Sequence, residues 1–178
     1  YPTGTTIYQP DRAWSGYTIF VVRDGSGAIL IDMNGTEIRH WPEYPRGLVR
    51  ILPGGHVMGG EGDRVPYQEA IALTQKDWDG NVVWRYDRAE QVQLEDGETI
   101  WASRMHHDWQ REGSPAGYYA ESEPLLDQGR TLILGHKELT NLEISDKRLE
   151  DDYIYELSWD GEVLWDWLAS DHVDELGF

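Results

Sequence analysis

The stretch WDGNVVW at residues 78–84 recurs as WDGEVLW at residues 159–165, and a weaker copy, IDMNGTEI, occupies residues 31–38. Each copy places an Asp-Gly or Asn-Gly pair between apolar residues. Such a pair is a strong β-hairpin signal, because both residues tolerate the positive φ that a tight turn needs. The Trp and Val residues beside the turn are expected to cover neighbouring sheets rather than to bind a ligand. The repeat therefore predicts a chain built from hairpins of one kind.

The spacing of the copies indicates how these hairpins are organised. Gly35 and Gly80 are 45 residues apart, and Gly80 and Gly161 are 81 residues apart. The shorter interval matches the period of β-propeller repeats, about 40–50 residues. We interpret the longer interval as one period that carries an insertion. A second repeated element, LPGGHVMG at residues 52–59 and DQGRTLILGH at residues 127–136, precedes each complete copy.

Short apolar runs separated by Gly, Asp and Asn fill much of the chain, and long helical periodicity is nearly absent. These runs predict strands over residues 17–22, 28–32, 36–41, 48–52, 56–58, 71–74, 81–86, 130–134, 153–157 and 162–167. The polar and aromatic stretch over residues 105–124 is predicted to be a long inter-strand loop, of the kind that often carries function. The Gly-rich stretch at residues 59–63 is predicted to be a flexible loop.

We predict an all-β fold in which residues 1–178 form the N-terminal part of a single β-propeller domain. At about 40–50 residues a blade, the chain supplies about three blades, whereas a closed propeller has typically about 4–8. The strongly aromatic segment at residues 153–168 lacks the polar outer face that a terminal repeat needs. The missing blades are expected from a second polypeptide, a second copy of the chain, or a region lost by processing.

The composition excludes several classes of function. With 15 basic and 33 acidic side chains the formal net charge is −18, which argues against nucleic acid or an anionic membrane surface as a partner. The absence of cysteine excludes disulfides, thiolate metal sites and cysteine nucleophiles. No apolar run approaches the roughly 18 residues of a membrane span. The chain starts at Tyr1, so removal of a signal peptide on export to a periplasm or to the cell exterior is one expectation, and the compartment stays open.

The segment RMHHDWQR at residues 104–111 is the richest in chemistry. Successive side chains of a strand point to opposite faces, so His106 and His107 are expected to diverge, with one of them facing a cavity. Asp108 is then placed to orient an imidazole and to fix its tautomer. Arg104 and Arg111 offer planar donor forks that suit sulfate, phosphate or carboxylate oxygens. We take these five residues as candidate catalytic residues.

Two further histidines suggest a different chemistry. His56 and His136 each follow a Gly-containing turn in the second repeated element, so we expect equivalent positions on one face of the propeller. Together with His107 they form an alternative set of ligands for a divalent transition metal, because imidazole is the commonest metal ligand. Taken singly, each also fits an ordinary structural role.

The Asp/Asn-Gly hairpins, the Leu-Pro-x-Gly element and the His-His-Asp triplet together resemble the arylsulfotransferase family, over residues 31–167. The resemblance implies a six-bladed β-propeller that moves a sulfuryl group between phenols by a ping-pong route, with a channel histidine as nucleophile and no cofactor. It places His106, His107 and Asp108 on the family's His-His-Asp element and makes Arg104 and Arg111 candidates for binding the sulfuryl oxygens. In that family the sulfated histidine comes from a later element, which this chain lacks.

Three functions are therefore open at this point. The first is arylsulfotransferase-like transfer of a sulfuryl group. The second is a metal-dependent hydrolase or lyase on the same propeller, with His56, His107 and His136 as ligands. The third is a non-catalytic binding propeller. A small aromatic or anionic substrate is expected in the first two cases, and local Arg and His residues must attract an anion against the overall charge of the protein.

Overall fold

The computed structural model describes residues 5–63, 68–94, 96–113 and 125–177. Across these ranges the chain forms strands β1 (Thr18–Val22), β2 (Gly27–Ile31), β3 (Glu37–Trp41), β4 (Val49–Ile51), β5 (Val57–Glu61), β6 (Ala72–Lys76), β7 (Val82–Tyr86), β8 (Glu90–Gln93), β9 (Thr99–Ala102), β10 (Met105–Arg111), β11 (Thr131–Leu139), β12 (Leu149–Leu157) and β13 (Val163–Leu168). Helical structure within them consists of 3-10 turns at Pro53–Gly55 and Ala169–His172 and the short helix α1 (Val173–Leu176).

The strands form four antiparallel sheets in which neighbours follow chain order. Three of the sheets are the meanders β1–β2–β3, β4–β5–β6–β7 and β10–β11–β12–β13, and the fourth is the separate hairpin β8–β9. The prediction of an all-β fold is confirmed, since the described residues are mostly β and none of their sheets closes on itself. No helix in the described ranges is both long and apolar enough to cross a bilayer.

One turn recurs at the end of each meander, where it joins the last two strands. In every copy the first turn residue and the fifth exchange two hydrogen bonds. The backbone N–H of the first donates to the C=O of the fifth, and the backbone N–H of the fifth donates to the side-chain oxygen of the first. The pairs are Asp32–Thr36, Asp77–Asn81 and Ser158–Glu162. The fourth residue is Gly35, Gly80 or Gly161, with φ between 78° and 93°.

The longer interval between repeats contains a hairpin that the sequence pattern does not predict. The turn between β8 and β9 makes the same backbone hydrogen bonds, from Leu94 to Glu98 and from Gly97 back to Leu94. Leu94 has no side-chain oxygen to bind the fifth residue, and the second turn position is Glu95 in the sequence, where the two complete copies have Trp. The insertion inferred from the spacing therefore includes a further hairpin of the same backbone type.

The predicted strands are all present, with ends that differ by a few residues, but the loop predicted over residues 105–124 is partly wrong. Its first part, Met105–Arg111, is strand β10, which pairs with β11. The register shifts between Met105 and Trp109, and this bulge contains the polar residues that resemble a loop in the sequence. Residues 114–124 of the predicted loop lie outside the described residues.

The Gly-rich stretch at residues 59–63 is also not a loop throughout, because residues 59–61 belong to β5. A Cβ atom on Gly59 would lie 2.8 Å from Val49 Cγ2, and one on Gly60 would lie 2.8 Å from Ala70 Cβ. Contacts under about 3 Å are sterically forbidden. Gly59 therefore allows β5 to lie close to Val49, its partner on β4, and Gly60 allows the close approach of Ala70.

Two buried apolar clusters hold the sheets together. The larger combines residues of β5–β7 with residues of β10–β12, including the fully buried Leu73, Trp109 and Tyr155. The smaller combines β2 and β3 with Val49 and Val57 of the next sheet. Full burial of each large apolar side chain contributes roughly 1.5–3 kcal/mol. The larger cluster therefore fixes β10, β11 and β12, the strands that carry most of the candidate site, relative to β5–β7.

Candidate functional site

Three adjacent strands bring two histidines and an aspartate together. The β11–β12 register places His136 opposite Asp152, and His106 lies near the start of β10. The imidazoles of His106 and His136 stack with centroids 3.8 Å apart and planes 17° apart. His106 Nε2 lies 3.5 Å from Asp152 Oδ1. One ligand atom from each of the three residues lies within 4.8 Å of the other two, which brings them close enough for a small adjustment to let them share a metal ion.

A buried carboxylate fixes the orientation of His136. Its Nδ1 lies 2.8 Å from Glu69 Oε1 and 3.3 Å from Glu150 Oε1, and the Glu69 side chain is completely buried. A carboxylate can only accept when ionised, so Nδ1 of His136 carries the hydrogen. In the neutral tautomer that has its hydrogen on Nδ1, the lone pair is on Nε2. Carboxylate–histidine pairs of this kind orient metal ligands in many proteins.

Arg104 is engaged with carboxylates and does not face a substrate. Its guanidinium is fully buried and donates to Glu69 through Nε and Nη2, to Glu90, and to Glu150 at 2.9 Å. Glu138 lies 4.0 Å away. The expected contact with a sulfuryl or other oxyanion is therefore not supported by the contacts of this residue. Four carboxylates surround one guanidinium, and the excess negative charge favours a cation beside His136.

The neighbouring carboxylates also affect the ionisation of Glu150. Partial burial raises the pKa of the Glu150 carboxyl above its ordinary value, and a hydrogen bond with Glu69 and the charge of Glu69 act in the same direction. Two carboxylates that share a hydrogen bond cannot both ionise without cost. A cation bound at this cluster would relieve the repulsion.

His106 has an unsatisfied nitrogen in a buried position. The side chain is 8% exposed, and its Nε2 has no hydrogen-bond partner among the described residues. Burial, followed by the neighbouring His136 and His107, lowers the pKa of His106 to about 4. The ring is therefore neutral near pH 7 and holds a free lone pair. An unsatisfied buried polar atom costs roughly 1–3 kcal/mol, which a bound ligand atom would offset.

A small cavity and a larger cleft adjoin this cluster. The cavity has a volume of about 20 Å³ and is lined in part by Glu69 and His106, and this is enough room for one water molecule. The cleft has a volume of about 430 Å³. Four residues line both spaces, which shows that they adjoin: Arg46, Gly47, Gln68 and His107.

Three side chains at this region sit on strained backbone. Gln68, Arg104 and His107 have φ of 60°, 54° and 58°. For residues other than glycine this region costs on the order of 1–3 kcal/mol, and such strain clusters at functional sites. Of the four described non-glycine residues with positive φ, Gln68 and His107 line the cleft, and Arg104 contacts Glu69, which lines the small cavity.

The contacts of His107 and Asp108 do not match the roles that the sequence predicts, metal ligation by His107 and orientation of an imidazole by Asp108. His107 is exposed to the cleft, with its ring edge-on to His106 at 4.9 Å. It belongs neither to the convergent group His106, His136 and Asp152 nor to the second such group, Glu69, His136 and Glu150. Asp108 accepts hydrogen bonds from Arg50 at 3.1 Å and from the backbone N–H of Trp109 at 2.7 Å. No contact that orients an imidazole is found for Asp108 among the described residues.

Arg111 and His56 lie away from the cluster. The fully buried Arg111 guanidinium lies between the rings of Trp84 and Trp159, 4.7 and 4.8 Å from their centroids. Burial lowers the pKa of Arg111 to about 10. His56 precedes β5 and contacts Gln75 Nε2 through Nδ1 at 3.0 Å, whereas His136 lies within β11. The expectation that the two histidines occupy equivalent positions is therefore wrong, and only His136 joins the cluster.

Sequence reasoning misses three members of the cluster: Glu69, Glu150 and Asp152. The last two belong to an acidic stretch at residues 149–152 that resembles a solvated surface. Their alternation along β12 is a weak signal, since Glu150 and Asp152 must share one face of the strand. Glu69 lies outside any sequence motif, and only the packing of chain segments brings it to His136.

Comparison with known proteins gives no relative: no family model, no curated protein and no solved structure matches this chain.

Proposed function

We propose that this chain is part of a metal-dependent hydrolase in which His106, His136 and Asp152 bind a divalent transition metal. The observation that carries the proposal is the convergence of one ligand atom from each residue within 4.8 Å, with the buried Nε2 of His106 lacking any other partner in the described ranges. Two imidazoles and one carboxylate form a recurrent catalytic zinc set, which leaves a coordination position open for water.

The surroundings support hydrolysis rather than a purely structural metal. A closed structural site uses four protein ligands, whereas this cluster offers three and adjoins a cavity of about 20 Å³. A metal ion held by these residues would lower the pKa of a bound water to about 7 and would supply a hydroxide nucleophile. Glu69 would hold His136 in the tautomer that binds the metal, and Arg104 would offset the charge of Glu69 and Glu150.

The proposal also covers how the sheets assemble into a β-propeller. A propeller blade is a four-stranded antiparallel sheet, and the meanders β4–β7 and β10–β13 each have four antiparallel strands in chain order, which supports the proposal. Strands β1–β3 would belong to a third blade that ends in the same turn. We propose that these sheets are part of a six-bladed propeller. A second polypeptide or a second copy of the chain would supply the remaining blades.

Metal titration tests the site directly. After removal of bound metal with EDTA, calorimetric titration with Zn²⁺ is expected to show one tight site in the wild-type chain. His136→Gln should weaken binding roughly a hundredfold, because it removes a ligand. His172→Gln is the matched control, since His172 stacks on Trp167 and belongs to neither convergent group. Equal affinities of the wild type and His136→Gln would refute the site.

A second candidate function is sulfuryl transfer, and one observation favours it. The unpartnered Nε2 of His106 lies beside a cavity that adjoins the cleft, and in the tautomer protonated at Nδ1 it would be a nucleophile. In this reaction the Nε2 lone pair would form a bond to sulfur while the S–O bond to a phenol breaks, and the phenoxide would leave with the electron pair. The oxygen of an acceptor phenol would then bond to sulfur as the S–N bond breaks, its proton would pass to the released phenoxide, and the neutral imidazole would be restored.

Mass spectrometry separates the two candidates. Metal-free protein incubated with an aryl sulfate should carry a sulfuryl adduct on the peptide containing His106 if transfer is the function. A hydrolase should instead need Zn²⁺ for activity and form no adduct. An adduct in the metal-free protein, with no stimulation by metal, would reverse the preference stated here.

A further inference from the structure

We infer that the cleft beside the metal-site cluster (His106, His136, Asp152, Glu69 and Glu150) binds an amphiphilic organic anion. Arg23 and Arg46 hold its oxyanion head, and its apolar body lies against the apolar residues of the lining. The role of this molecule as substrate rests on the proposed hydrolase function. Its binding does not, because the cleft is formed by residues outside the metal-site cluster. The two statements can therefore be tested separately.

The cleft has the size and lining of a small-molecule site. Its volume of about 430 Å³ falls within the range of roughly 300–1,000 Å³ typical of ligand pockets. Such pockets combine an apolar wall with a few polar groups that set orientation. Here the apolar part consists of Val21, Val22, Pro45 and Leu48.

The charge of the lining selects an anion. The protein carries 33 acidic and only 15 basic side chains, yet the lining includes two arginines and no Asp or Glu among the described residues. Arg46 pairs with Asp63, whereas Arg23 forms no ion pair with any described residue. Arg23 is therefore free to bind a ligand oxyanion, for which a guanidinium supplies two parallel donors.

The position of His107 connects the cleft to the metal-site cluster. His107 lines both the cleft and the small cavity next to His106. His107 has a φ of 58° and Gln68 a φ of 60°, so two residues with strained backbone lie where the cleft meets the small cavity. Backbone strain of this kind clusters at functional sites. An oxyanion at the junction would contact the cationic lining and lie beside the cluster.

The apolar wall determines what the rest of the ligand is. Val21, Val22 and Leu48 are half-buried. A free inorganic anion would leave their remaining apolar surface in contact with water, whereas an organic anion with an aromatic or aliphatic body would cover it. Removing that surface from water favours binding. The ligand class is therefore an organic phosphate, phosphonate or related oxyanion whose apolar part follows the charged group.

Binding of phenylphosphonate to the EDTA-treated protein tests the inference. Its P–C bond resists hydrolysis, so binding is measured without turnover. We expect calorimetry to show that phenylphosphonate binds at least tenfold more tightly than either inorganic phosphate or phenol. Arg23→Gln should weaken phenylphosphonate binding roughly tenfold, the loss of one charge-assisted contact.

Arg88→Gln is the matched control, because it removes the same charge from an exposed position outside the cleft and should leave the affinity unchanged. Equal effects of the two substitutions would mean that only net charge matters and would overturn the inference. Phenylphosphonate affinity no higher than that of inorganic phosphate would overturn the apolar-wall argument. Phenylphosphonate binding without any Zn²⁺ binding would leave the cleft intact and refute the hydrolase proposal alone.

Discussion

Glu69 is fully buried and contacts both Arg104 and His136. A buried carboxylate needs a partner, since desolvation of an unpaired charge costs several kcal/mol. Arg104 supplies that partner through two donors, and His136 Nδ1 forms a further hydrogen bond with Glu69 Oε1. At the scale of single residues an ion-pair network therefore holds the candidate site in place. The segment RMHHDWQR contributes Arg104 to that network, His106 to the metal-ligand group, His107 to the cleft and Arg111 to the core.

Arg111 is the clearest case of a residue whose role differs from the sequence prediction. The sequence makes it a candidate for binding oxyanions, but its guanidinium lies between two indole rings in the core. Its Nε and Nη1 have no hydrogen-bond partner among the described residues, and Nη2 contacts Met58 Sδ at 3.7 Å. Cation–π attraction partly offsets the desolvation that lowers the pKa of Arg111.

Replacing Arg111 with methionine should therefore preserve stability. Methionine fills much of the same volume and makes favourable sulfur–aromatic contacts, so we expect the free energy of unfolding to change by less than about 1 kcal/mol or to increase. Arg111→Ala leaves a cavity and should cost roughly 2–5 kcal/mol. Urea unfolding of the two variants provides the measurement. A loss in Arg111→Met as large as in Arg111→Ala would show that the guanidinium has a partner that methionine cannot replace.

At the scale of elements, the recurring turn explains why the hairpin signals predict so much of the fold. The side chain of Asp32, Asp77 or Ser158 satisfies a backbone N–H four residues later, and a glycine takes the positive φ. These interactions are local, so each turn forms the same way wherever it lies in the chain.

Substitution of one of these glycines should lower the free energy of unfolding through backbone strain alone. Gly80 has a φ of 93°, and the nearest atom to a Cβ at this position would be Arg39 Nη2 at 4.0 Å. Gly80→Ala should lower the free energy of unfolding by roughly 1–2 kcal/mol, because an L-residue is strained at positive φ. Gly16→Ala is the control, since a Cβ there meets nothing within 4 Å and φ is not positive. Equal stability of the two variants would contradict this account of the turn.

At the scale of the whole molecule, the exposed apolar side chains of β13 indicate an interface. Val163, Leu164 and Trp165 are each about half exposed, at 49%, 51% and 50%. They lie on the last strand of a four-stranded sheet, whose outer edge pairs with no described strand. Contiguous exposed apolar residues on an edge strand commonly mark a contact with another chain, in agreement with the proposal of a propeller completed by a second polypeptide or a second copy.

The purified chain alone should therefore self-associate, and salt should strengthen the association. Each copy carries a net charge of −18, so two copies repel each other until ions screen the charge over about 10 Å at 0.1 M salt. Sedimentation velocity at low and high ionic strength should show a dimer fraction that rises with salt. Trp165→Glu should abolish the dimer, and Trp101→Glu, on β9 and equally exposed at 50%, is the control. A monomer at every ionic strength would refute a second copy as the partner.

The sequence by itself determined the fold class, because strand alternation and turn chemistry act over a few residues. It did not reveal β8 and β9, where the turn lacks its side-chain bond, or β10, whose bulge carries polar residues. The candidate site is predictable only in part: the sequence points to His106 and His136, but not to Glu69, Glu150 and Asp152. Only the tertiary structure brings these five residues together, since strand register and packing join positions up to 83 residues apart, and no local rule specifies such contacts.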